Sequence, residues 1–227
     1  MRLQVILLRS LPEAEAFGRH MKLSDIMTKE REDYLSCLSK SLEEQRRISP
    51  LATAEVLIEI NTKKIPLPYR LTRMDIMYNT EKGPKIIEVN KDRYFSFDTF
   101  VFTIQPDIPA TLNPFYWNGM EFRIFGDITS WSALETWIRK WVDIEDERYV
   151  QGKDYQYVVH SVSEPKKETG YWLISIDMGS AGLESIHELF MVFEKLGVKK
   201  VEIGSFSMIN QNAEPDSIQP TSAPPVG

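Results

Sequence analysis

The sequence predicts an α+β protein, with helices and antiparallel strands in its N-terminal part and a β-α-β-β-α-β order in its C-terminal part. Three observations indicate this class. Apolar residues recur every three or four positions in some segments and alternate with polar residues in others. Turns rich in Gly, Pro and Asp separate the two kinds of segment. Apolar residues make up 42% of the 227 residues, which is enough to build a packed core.

Residues 1–118 are interpreted as a first unit that combines helices with antiparallel strands. An apolar run at residues 3–8 predicts a strand. Residues 28–47 predict an amphipathic helix, because four apolar side chains recur there at helical spacing: Tyr34, Leu35, Leu38 and Leu42. Pro50 interrupts this pattern, and residues 52–60 predict a second helix.

A hairpin is predicted after Pro66, because two short apolar runs, residues 69–78 and 85–89, flank a turn at residues 81–84. Aromatic and β-branched residues alternate with polar ones over residues 95–104, which predicts a further strand. Three prolines then predict an irregular connector, where we place a domain boundary: Pro106, Pro109 and Pro114.

The second unit, residues 119–207, has the more regular pattern. Strands are predicted at residues 120–125, 155–162, 171–177 and 199–203. One helix is predicted from Ser132, which has Glu135 at capping-box spacing, and another between Ser180 and Gly197. This β-α-β-β-α-β order is that of a ferredoxin-like sandwich, with four strands and two helices on one face. Residues 208–227 are polar and rich in Pro, so they predict a disordered tail.

The formal net charge of −6 lies mostly in the second unit. Residues 119–207 carry 10 basic and 15 acidic side chains, whereas residues 1–118 carry 17 basic and 16 acidic ones. An acidic surface repels phosphates, so we expect a basic protein partner and no nucleic acid. No apolar run is long enough to span a bilayer, and the single cysteine, Cys37, fits a reducing compartment. We therefore expect a cytoplasmic protein that does not bind a membrane.

The sharpest local pattern is a set of oxygen ligands in the predicted hairpin: Asp75, Glu88 and Asn90. Such oxygens suit Mg²⁺ held against phosphates. The stretch from Arg73 to Asn90 resembles the metal-binding hairpin of the ATP-grasp ligases, and the resemblance implies that these three side chains bind the Mg²⁺ of Mg-ATP. The family's nucleotide-binding lysines and glycine-rich loop have no counterpart upstream. The alternative is an ordinary hairpin with solvated acids, for which we expect no cofactor and no tight binding of a divalent metal.

The three histidines, His20, His160 and His187, form no metal-binding spacing with one another or with Cys37. His187 is interpreted as a surface group on the last helix. His160 lies on a predicted strand and could act as an acid or base, but no neighbour in the sequence supports that role. Residues 179–182 open the last helix with small residues, which fits either a capped helix start or an anion site.

An acidic cluster follows the Trp-rich helix: Asp143, Glu145, Asp146 and Glu147. Among the three tryptophans of that helix, Trp137 lies off the apolar stripe and is expected to be partly exposed. Tryptophan beside carboxylates is a composition seen at interface anchors, so Trp137 and the cluster are the candidate partner-binding residues. The alternative is a solvated helix end beside a packed core.

Two classes of function remain open. Residues 126–138 and 177–197 resemble bacterial immunity proteins, which neutralise a cognate toxin. This resemblance implies a non-enzymatic module, without catalytic residues, that binds a protein partner. The alternative is a Mg-ATP-dependent enzyme, or a remnant of one, related to the ATP-grasp ligases and built on Asp75, Glu88 and Asn90.

Overall fold

The computed structural model describes residues 22–60, 62, 64–89, 95–104, 107–150 and 152–207. The helices within these ranges are α1 (Leu23–Ile48), α2 (Ser132–Ile138) and α3 (Leu183–Lys195). The strands are β1 (Thr53–Glu59), β2 (Leu71–Thr80), β3 (Gly83–Ile87), β4 (Phe100–Ile104), β5 (Ile108–Leu112), β6 (Met120–Phe125), β7 (Ser161–Val162), β8 (Lys166–Lys167), β9 (Trp172–Asp177) and β10 (Lys200–Gly204). The strand predicted at residues 3–8 and the predicted tail lie outside the described residues.

Helix α1 packs one face against the rest of the protein, which confirms the predicted amphipathic helix. It begins where the backbone N–H of Lys22 donates to the Asp25 carboxylate at 3.1 Å, and an acid in the first turn also suits the helix dipole. Its buried residues recur every three to four positions: Leu23, Ile26, Met27, Glu30, Tyr34, Leu38 and Leu42. This periodicity directs Tyr34 toward the interior, where the candidate site lies.

Residues 53–59 form strand β1, so the prediction of a second helix there is wrong. β1 pairs antiparallel with β2, from Thr53↔Met77 to Glu59↔Leu71. A short apolar run has no periodicity that separates a strand from a helix, and the pairing available on β2 decides the outcome. The predicted hairpin is confirmed, because β2 and β3 pair antiparallel. Together β1, β2 and β3 form a three-stranded sheet.

A seven-stranded sheet is the second one in the described part of the chain. Its main order is β4-β5-β10-β6-β9-β7, and β8 pairs with β9. β10 pairs parallel with β5 and antiparallel with β6. The segment predicted as a connector thus contains β5, which runs through Pro109. The sheet crosses the boundary placed at residue 118, because β10 pairs with β5.

The chain after residue 119 supplies the strands in the order β10-β6-β9-β7, with each neighbouring pair antiparallel. α2 follows β6 and continues into a π-helical turn, Arg139–Asp143, while α3 joins β9 to β10. Both helices predicted in this unit are confirmed. Trp131 occupies the N-cap of α2 without a side-chain cap, so the predicted capping box is absent. Of the strand predicted at residues 155–162, only Ser161–Val162 pairs into the sheet.

Helices α2 and α3 pack against each other through Trp137. Its side chain is buried (3% exposed), and its indole N–H donates to the Ser185 carbonyl at 2.9 Å. The interpretation of Trp137 as partly exposed is therefore wrong. Trp137 lies beside the apolar stripe of α2 and not within it. It is nevertheless buried, because α3 packs against this second face of α2. In the portion of the chain that the structure describes, no helix is both long and apolar enough to cross a membrane.

Candidate functional site

The imidazole ring of His160 is the centre of the candidate site and is almost completely buried, with 1% of its side chain exposed. Its Nε2 lies 2.8 Å from Glu55 Oε1, and its Nδ1 lies 2.8 Å from Asp75 Oδ1. The Oδ2 of Asp177 is 3.7 Å from the same Nδ1. One carboxylate therefore faces Nε2 and two lie near Nδ1. We call this group, with Tyr34, the His160 cluster.

The backbone of β1 is distorted where it supplies Glu55. The ladder between β1 and β2 pairs Ala54 with Ile76 and Val56 with Met74, and it is interrupted between them, at Glu55. Glu55 has a left-handed φ of 57°, which is uncommon for a residue other than glycine. With this backbone conformation, the carboxylate of Glu55 is buried in the core and does not lie on the sheet surface. Such strained residues are often found at functional sites.

Backbone hydrogen bonds join the two sheets at the site. The N–H of Arg73 on β2 donates to the His160 carbonyl at 2.8 Å. The N–H of His160 in turn donates to the carbonyl of Asp177, at the end of β9, at 2.9 Å. Glu55 and Asp75 come from the smaller sheet, Asp177 ends β9 of the larger sheet, and His160 directly precedes β7 of the larger sheet. The cluster therefore lies at the junction of the two sheets.

Neighbouring groups fix the orientation of the two most buried carboxylates. The hydroxyl of Tyr34 on α1 donates to Asp75 Oδ1 at 2.6 Å, and the Val89 N–H donates to Asp75 Oδ2 at 2.5 Å. Glu55 accepts a hydrogen bond from the Gln156 N–H. Buried carboxylates need such partners, because an unpaired charge away from water is strongly destabilising. The cluster is thus held in one arrangement by three separate parts of the chain.

The loop before α3 covers the His160 ring. Gly179 has a left-handed φ of 51°, and a Cβ at this position would lie 2.2 Å from His160 Cδ2. A side chain would therefore displace the ring. The next N–H, that of Ser180, donates to Glu55 Oε1 at 3.2 Å. This N–H is directed at an acid of the protein itself, so the anion-site interpretation of residues 179–182 gains no support.

The protonation of the cluster follows from its charges. Burial disfavours the charged imidazolium, but the charges and hydrogen bonds of Asp177, Asp75 and Glu55 outweigh it and raise the pKa of His160 well above its usual value. Burial acts to raise the pKa of Asp75, yet the hydrogen bond and charge of His160 leave that pKa lowered. For Asp177 burial dominates, and its pKa is raised. His160 and Asp75 therefore form an ion pair, beside which a second carboxylate lacks a full counter-charge.

A cavity of about 480 Å³ opens beside the His160 cluster. Asp75 and Asp177 line it, together with Glu88 and Glu164. The Asp177 side chain is 24% exposed and that of Asp75 is 6% exposed. The volume lies in the range of small-molecule sites, roughly 300 to 1,000 Å³. The cluster is thus accessible from the cavity through its two aspartates.

The cluster also contains a set of atoms that could hold a metal ion. One ligand atom from each of Asp75, His160 and Asp177 lies within 4.8 Å of the other two. Adjacent ligands of an octahedral ion with bonds of about 2.1 Å are separated by roughly 3 Å. The distances of 2.8 and 3.7 Å from His160 Nδ1 to the two aspartates are close to that separation.

A second buried cluster surrounds the guanidinium of Arg73, and we call it the Arg73 cluster. The Arg73 side chain is fully buried, and its Nη2 lies 3.2 Å from Asp143 Oδ2 and 2.8 Å from Asp146 Oδ1. The remaining hydrogen bonds go to the backbone carbonyls of Val142, Asp143 and Glu55. Two members of the predicted acidic cluster therefore neutralise an internal cation.

The candidate partner-binding residues differ in their exposure to solvent. Asp143 is buried, whereas Glu145, Asp146 and Glu147 are exposed. A solvated helix end therefore describes the last three residues but not Asp143. Trp137 does not reach the surface beside them. The partner-binding role of the cluster stays a prediction.

Two of the three candidate metal ligands predicted from the hairpin lie at the cavity. Asp75 and Glu88 both line the cavity, and Glu88 is exposed. Asn90 lies outside the described residues. The nearest polar partners of Asp75 are His160 and Tyr34, which sequence reasoning did not connect with it. His187 is exposed on α3, as the sequence predicted.

The members of the His160 cluster are far apart in the sequence, from Tyr34 to Asp177, and no short motif joins them. The only local signal was an isolated histidine, His160, within a predicted strand that is otherwise largely apolar. Its partners became apparent only once the two sheets had been brought together.

No family model matches the chain, and no curated protein or solved structure was found to match it.

Proposed function

We propose that the protein binds a divalent metal ion through Asp75, His160 Nδ1 and Asp177, and that the ion acts on a small molecule held in the adjacent cavity. The observation that carries this proposal is the convergence of the three ligand atoms, within 4.8 Å of one another, beside that cavity. The proposal departs from the expectation that the chain binds no divalent metal tightly. It also replaces Glu88 and Asn90 of the predicted ligand set with His160 and Asp177.

The contact between Glu55 and His160 supports this assignment. A histidine that binds a metal through one ring nitrogen usually donates its other ring N–H to a carboxylate, which fixes the tautomer and the ring orientation. Glu55 Oε1 stands 2.8 Å from Nε2, which leaves Nδ1 directed at the two aspartates. Tyr34 holds Asp75 in the same way. Two of the three proposed ligands, His160 and Asp75, are therefore held by contacts of the kind that orient metal ligands.

The ligand types indicate the ion and the class of chemistry. One imidazole with two carboxylates suits Mn²⁺ or Zn²⁺ better than Mg²⁺, which is usually held by oxygen atoms. An ion with three protein ligands keeps positions for water and substrate, as catalytic sites do. We therefore assign metal-assisted hydrolysis, for which an ion held by Asp75, His160 and Asp177 would supply a bound water molecule of lowered pKa.

The test is calorimetric titration of Mn²⁺ into protein treated with a chelator. We expect one ion per chain and the release of a proton, measured by repeating the titration in buffers of different ionisation enthalpy. Asp177→Asn should weaken Mn²⁺ binding more than about 10-fold, and Glu55→Gln about 10- to 100-fold. Asp154→Asn is the matched control, because this exposed carboxylate pairs with Arg46 outside the cavity. Equal affinity in Asp177→Asn and Asp154→Asn would exclude this site.

A second candidate function is the binding of a basic protein partner, which the resemblance to immunity proteins implies. One observation favours it: the exposed acids Glu145, Asp146 and Glu147 are followed by Tyr149 and Val150, which are 38% and 46% exposed. Exposed aromatic and apolar residues with a charged rim are typical of partner-binding surfaces. Charge reversal at Glu145 and Glu147 tests this function, because neither change touches the His160 cluster.

We also propose that residues 119–207 are a ferredoxin-like sandwich. The order β10-β6-β9-β7, with antiparallel neighbours and with α2 and α3 as connections, supports this assignment. β5 and β4 extend the sheet beyond β10. The α2–β7 connection then carries His160 to the edge of the sandwich, where the smaller sheet meets it.

A further inference from the structure

We infer that the cavity beside the His160 cluster binds an organic cation, an ammonium or guanidinium group on an aliphatic stem, through Tyr69 and Glu164. This inference goes beyond the metal centre, because it concerns lining residues that are not metal ligands. It names the chemical class of the molecule that the cavity holds. It also stands if no metal binds.

The first observation is the hydroxyl of Tyr69. The side chain lines the cavity and only 7% of the residue is exposed, yet its hydroxyl has no hydrogen-bond partner among the described residues. Buried hydroxyl groups are nearly always paired, because leaving one unpaired is unfavourable. An orphan hydroxyl on a side chain that lines a cavity therefore points to a ligand group that completes the pair.

The second observation is the balance of donors and acceptors in the lining. Four carboxylates face the cavity: Asp75, Glu88, Glu164 and Asp177. Among the described lining residues the one basic side chain is Arg73, and its guanidinium is fully engaged in the Arg73 cluster. A phosphate or carboxylate ligand would be repelled by these carboxylates and would find no free cationic side chain among the described residues of the lining. A group with several N–H donors and a positive charge matches the lining.

The surroundings of Tyr69 fit the same class of ligand. Burial, with the charges of Glu135 and Glu164, raises the pKa of the Tyr69 hydroxyl, so it stays a neutral phenol. Its oxygen can then accept an N–H from the ligand while Glu164 supplies the counter-charge. Apolar side chains complete the wall and suit an aliphatic stem: Ile60, Ile65, Val162 and Ile176.

This chemistry could come from a small amine or from an Arg side chain of a partner protein. The first probe is therefore agmatine, which carries both cationic groups on a four-carbon stem. The second is an acetylated and amidated Gly-Arg-Gly peptide, and pentan-1-ol is the neutral comparison. Each probe is titrated into the full chain, both after treatment with a chelator and after loading with Mn²⁺. Binding of agmatine alone indicates a small-molecule ligand, whereas binding of the peptide indicates a basic partner.

The variants decide whether binding uses the proposed wall. We expect Tyr69→Phe to weaken binding of the better probe about 5-fold and Glu164→Gln at least about 10-fold. The controls are Tyr149→Phe, an exposed tyrosine outside the cavity, and Glu168→Gln, which follows β8 where Glu164 precedes it and lies outside the lining. Equal binding of pentan-1-ol, no binding of either cation, or equal losses in the controls would overturn the inference. If the protein binds the organic cation but does not bind Mn²⁺, the result contradicts the proposed metal centre and leaves this inference intact.

Discussion

The Arg73 cluster and the His160 cluster each include a residue of strand β2, but they differ in whether their carboxylates are accessible to a ligand. Arg73 and Asp75 are two residues apart on β2 and so point to one face of the sheet. The Arg73 guanidinium is surrounded by acceptors that satisfy it. His160 is a single cationic group among three carboxylates, two of which line a cavity. The first cluster satisfies a buried cation, whereas the second places two carboxylates in the lining of the cavity.

Glu55 connects the two clusters. Its carbonyl accepts a hydrogen bond from Arg73 at 2.9 Å, while its carboxylate faces His160 at 2.8 Å. Glu55 and Asp143 both have a left-handed backbone conformation, with φ of 57° and 56°. Strain of this kind persists only where the surrounding contacts enforce it. Changes to the Arg73 cluster are therefore expected to disturb the position of Glu55 as well.

The largest effect is expected from Arg73→Met. Removal of the guanidinium leaves Asp143 buried without its counter-charge and three carbonyls without a donor, which should lower the free energy of unfolding by about 3–5 kcal/mol. Urea denaturation measures this change. Arg70→Met is the control, because Arg70 lies beside the same strand but is 25% exposed and pairs with Glu59 on the surface. Equal losses in the two variants would mean that the Arg73 cluster has no special structural role.

The next effect is expected from Gly179→Ala. The new Cβ would clash with the His160 ring and with the Val158 carbonyl, 2.6 Å away, so the free energy of unfolding should fall by about 2–4 kcal/mol. Gly170→Ala is the matched control: it also has a positive φ, of 88°, but nothing lies near its Cβ position. Its free energy of unfolding should fall by only about 1–2 kcal/mol, because only the left-handed backbone conformation disfavours the new side chain.

Mn²⁺ titration of the same two glycine variants sharpens the comparison. Gly179→Ala should weaken Mn²⁺ binding, because the ring that carries the ligand nitrogen has to move. Gly170→Ala should bind Mn²⁺ as the parent does. If both glycine variants bind the ion equally, then the position of the His160 ring does not control the metal centre.

The sequence predicted the α+β class, helix α1, the β2–β3 hairpin and the two helices after residue 119. These elements depend on local periodicity and turn residues, which a single sequence displays. β1 was assigned incorrectly because its conformation depends on pairing with β2. β5 was missed because Pro109 within it, with Pro106 and Pro114 on either side, indicated a connector, although the pairing with β4 and β10 makes it a strand.

The candidate site was predicted less well than the fold. Asp75 was identified, but its role was assigned with Glu88 and Asn90, which are close to it in the hairpin. The actual neighbours, His160 and Tyr34, are separated from Asp75 by 85 and 41 positions, and only the packing of three elements brings them together. Asp143 was interpreted as part of an exposed cluster because nothing local signals that Arg73 is its partner.

A moderate effect is expected when pH is varied in chelator-treated protein. The raised pKa of His160 stabilises the fold fully below its unfolded pKa of about 6.5, and that contribution is lost as pH rises through the raised folded value. The lowered pKa of Asp75 stabilises the fold fully above its unfolded pKa of about 3.9, and that contribution is lost as pH falls through the lowered value. The summed contribution of His160 and Asp75 to stability should therefore be greatest between these two unfolded pKa values.

Urea denaturation at a series of pH values measures the alkaline slope, which one proton limits to about 1.4 kcal/mol per pH unit. His160→Gln should flatten that slope. His187→Gln should leave it unchanged, because His187 is exposed. A slope that survives in His160→Gln would have to come from another group.

The smallest effect on stability is expected from reversing Glu145 and Glu147 to Lys. Both residues are exposed, whereas Asp143 and Asp146 bind Arg73, so the free energy of unfolding should change by less than about 0.5 kcal/mol. The same change should weaken binding of Lys-rich peptides, and more at low salt than at high salt, because exposed charges act over a distance that salt shortens. Glu43→Lys with Glu44→Lys is the control, since it alters the net charge equally on the exposed face of α1. If both double reversals weaken peptide binding to the same extent, the net charge of the protein explains the attraction. If only the first does so, the surface at Glu145 and Glu147 is a binding surface that is separate from both buried clusters.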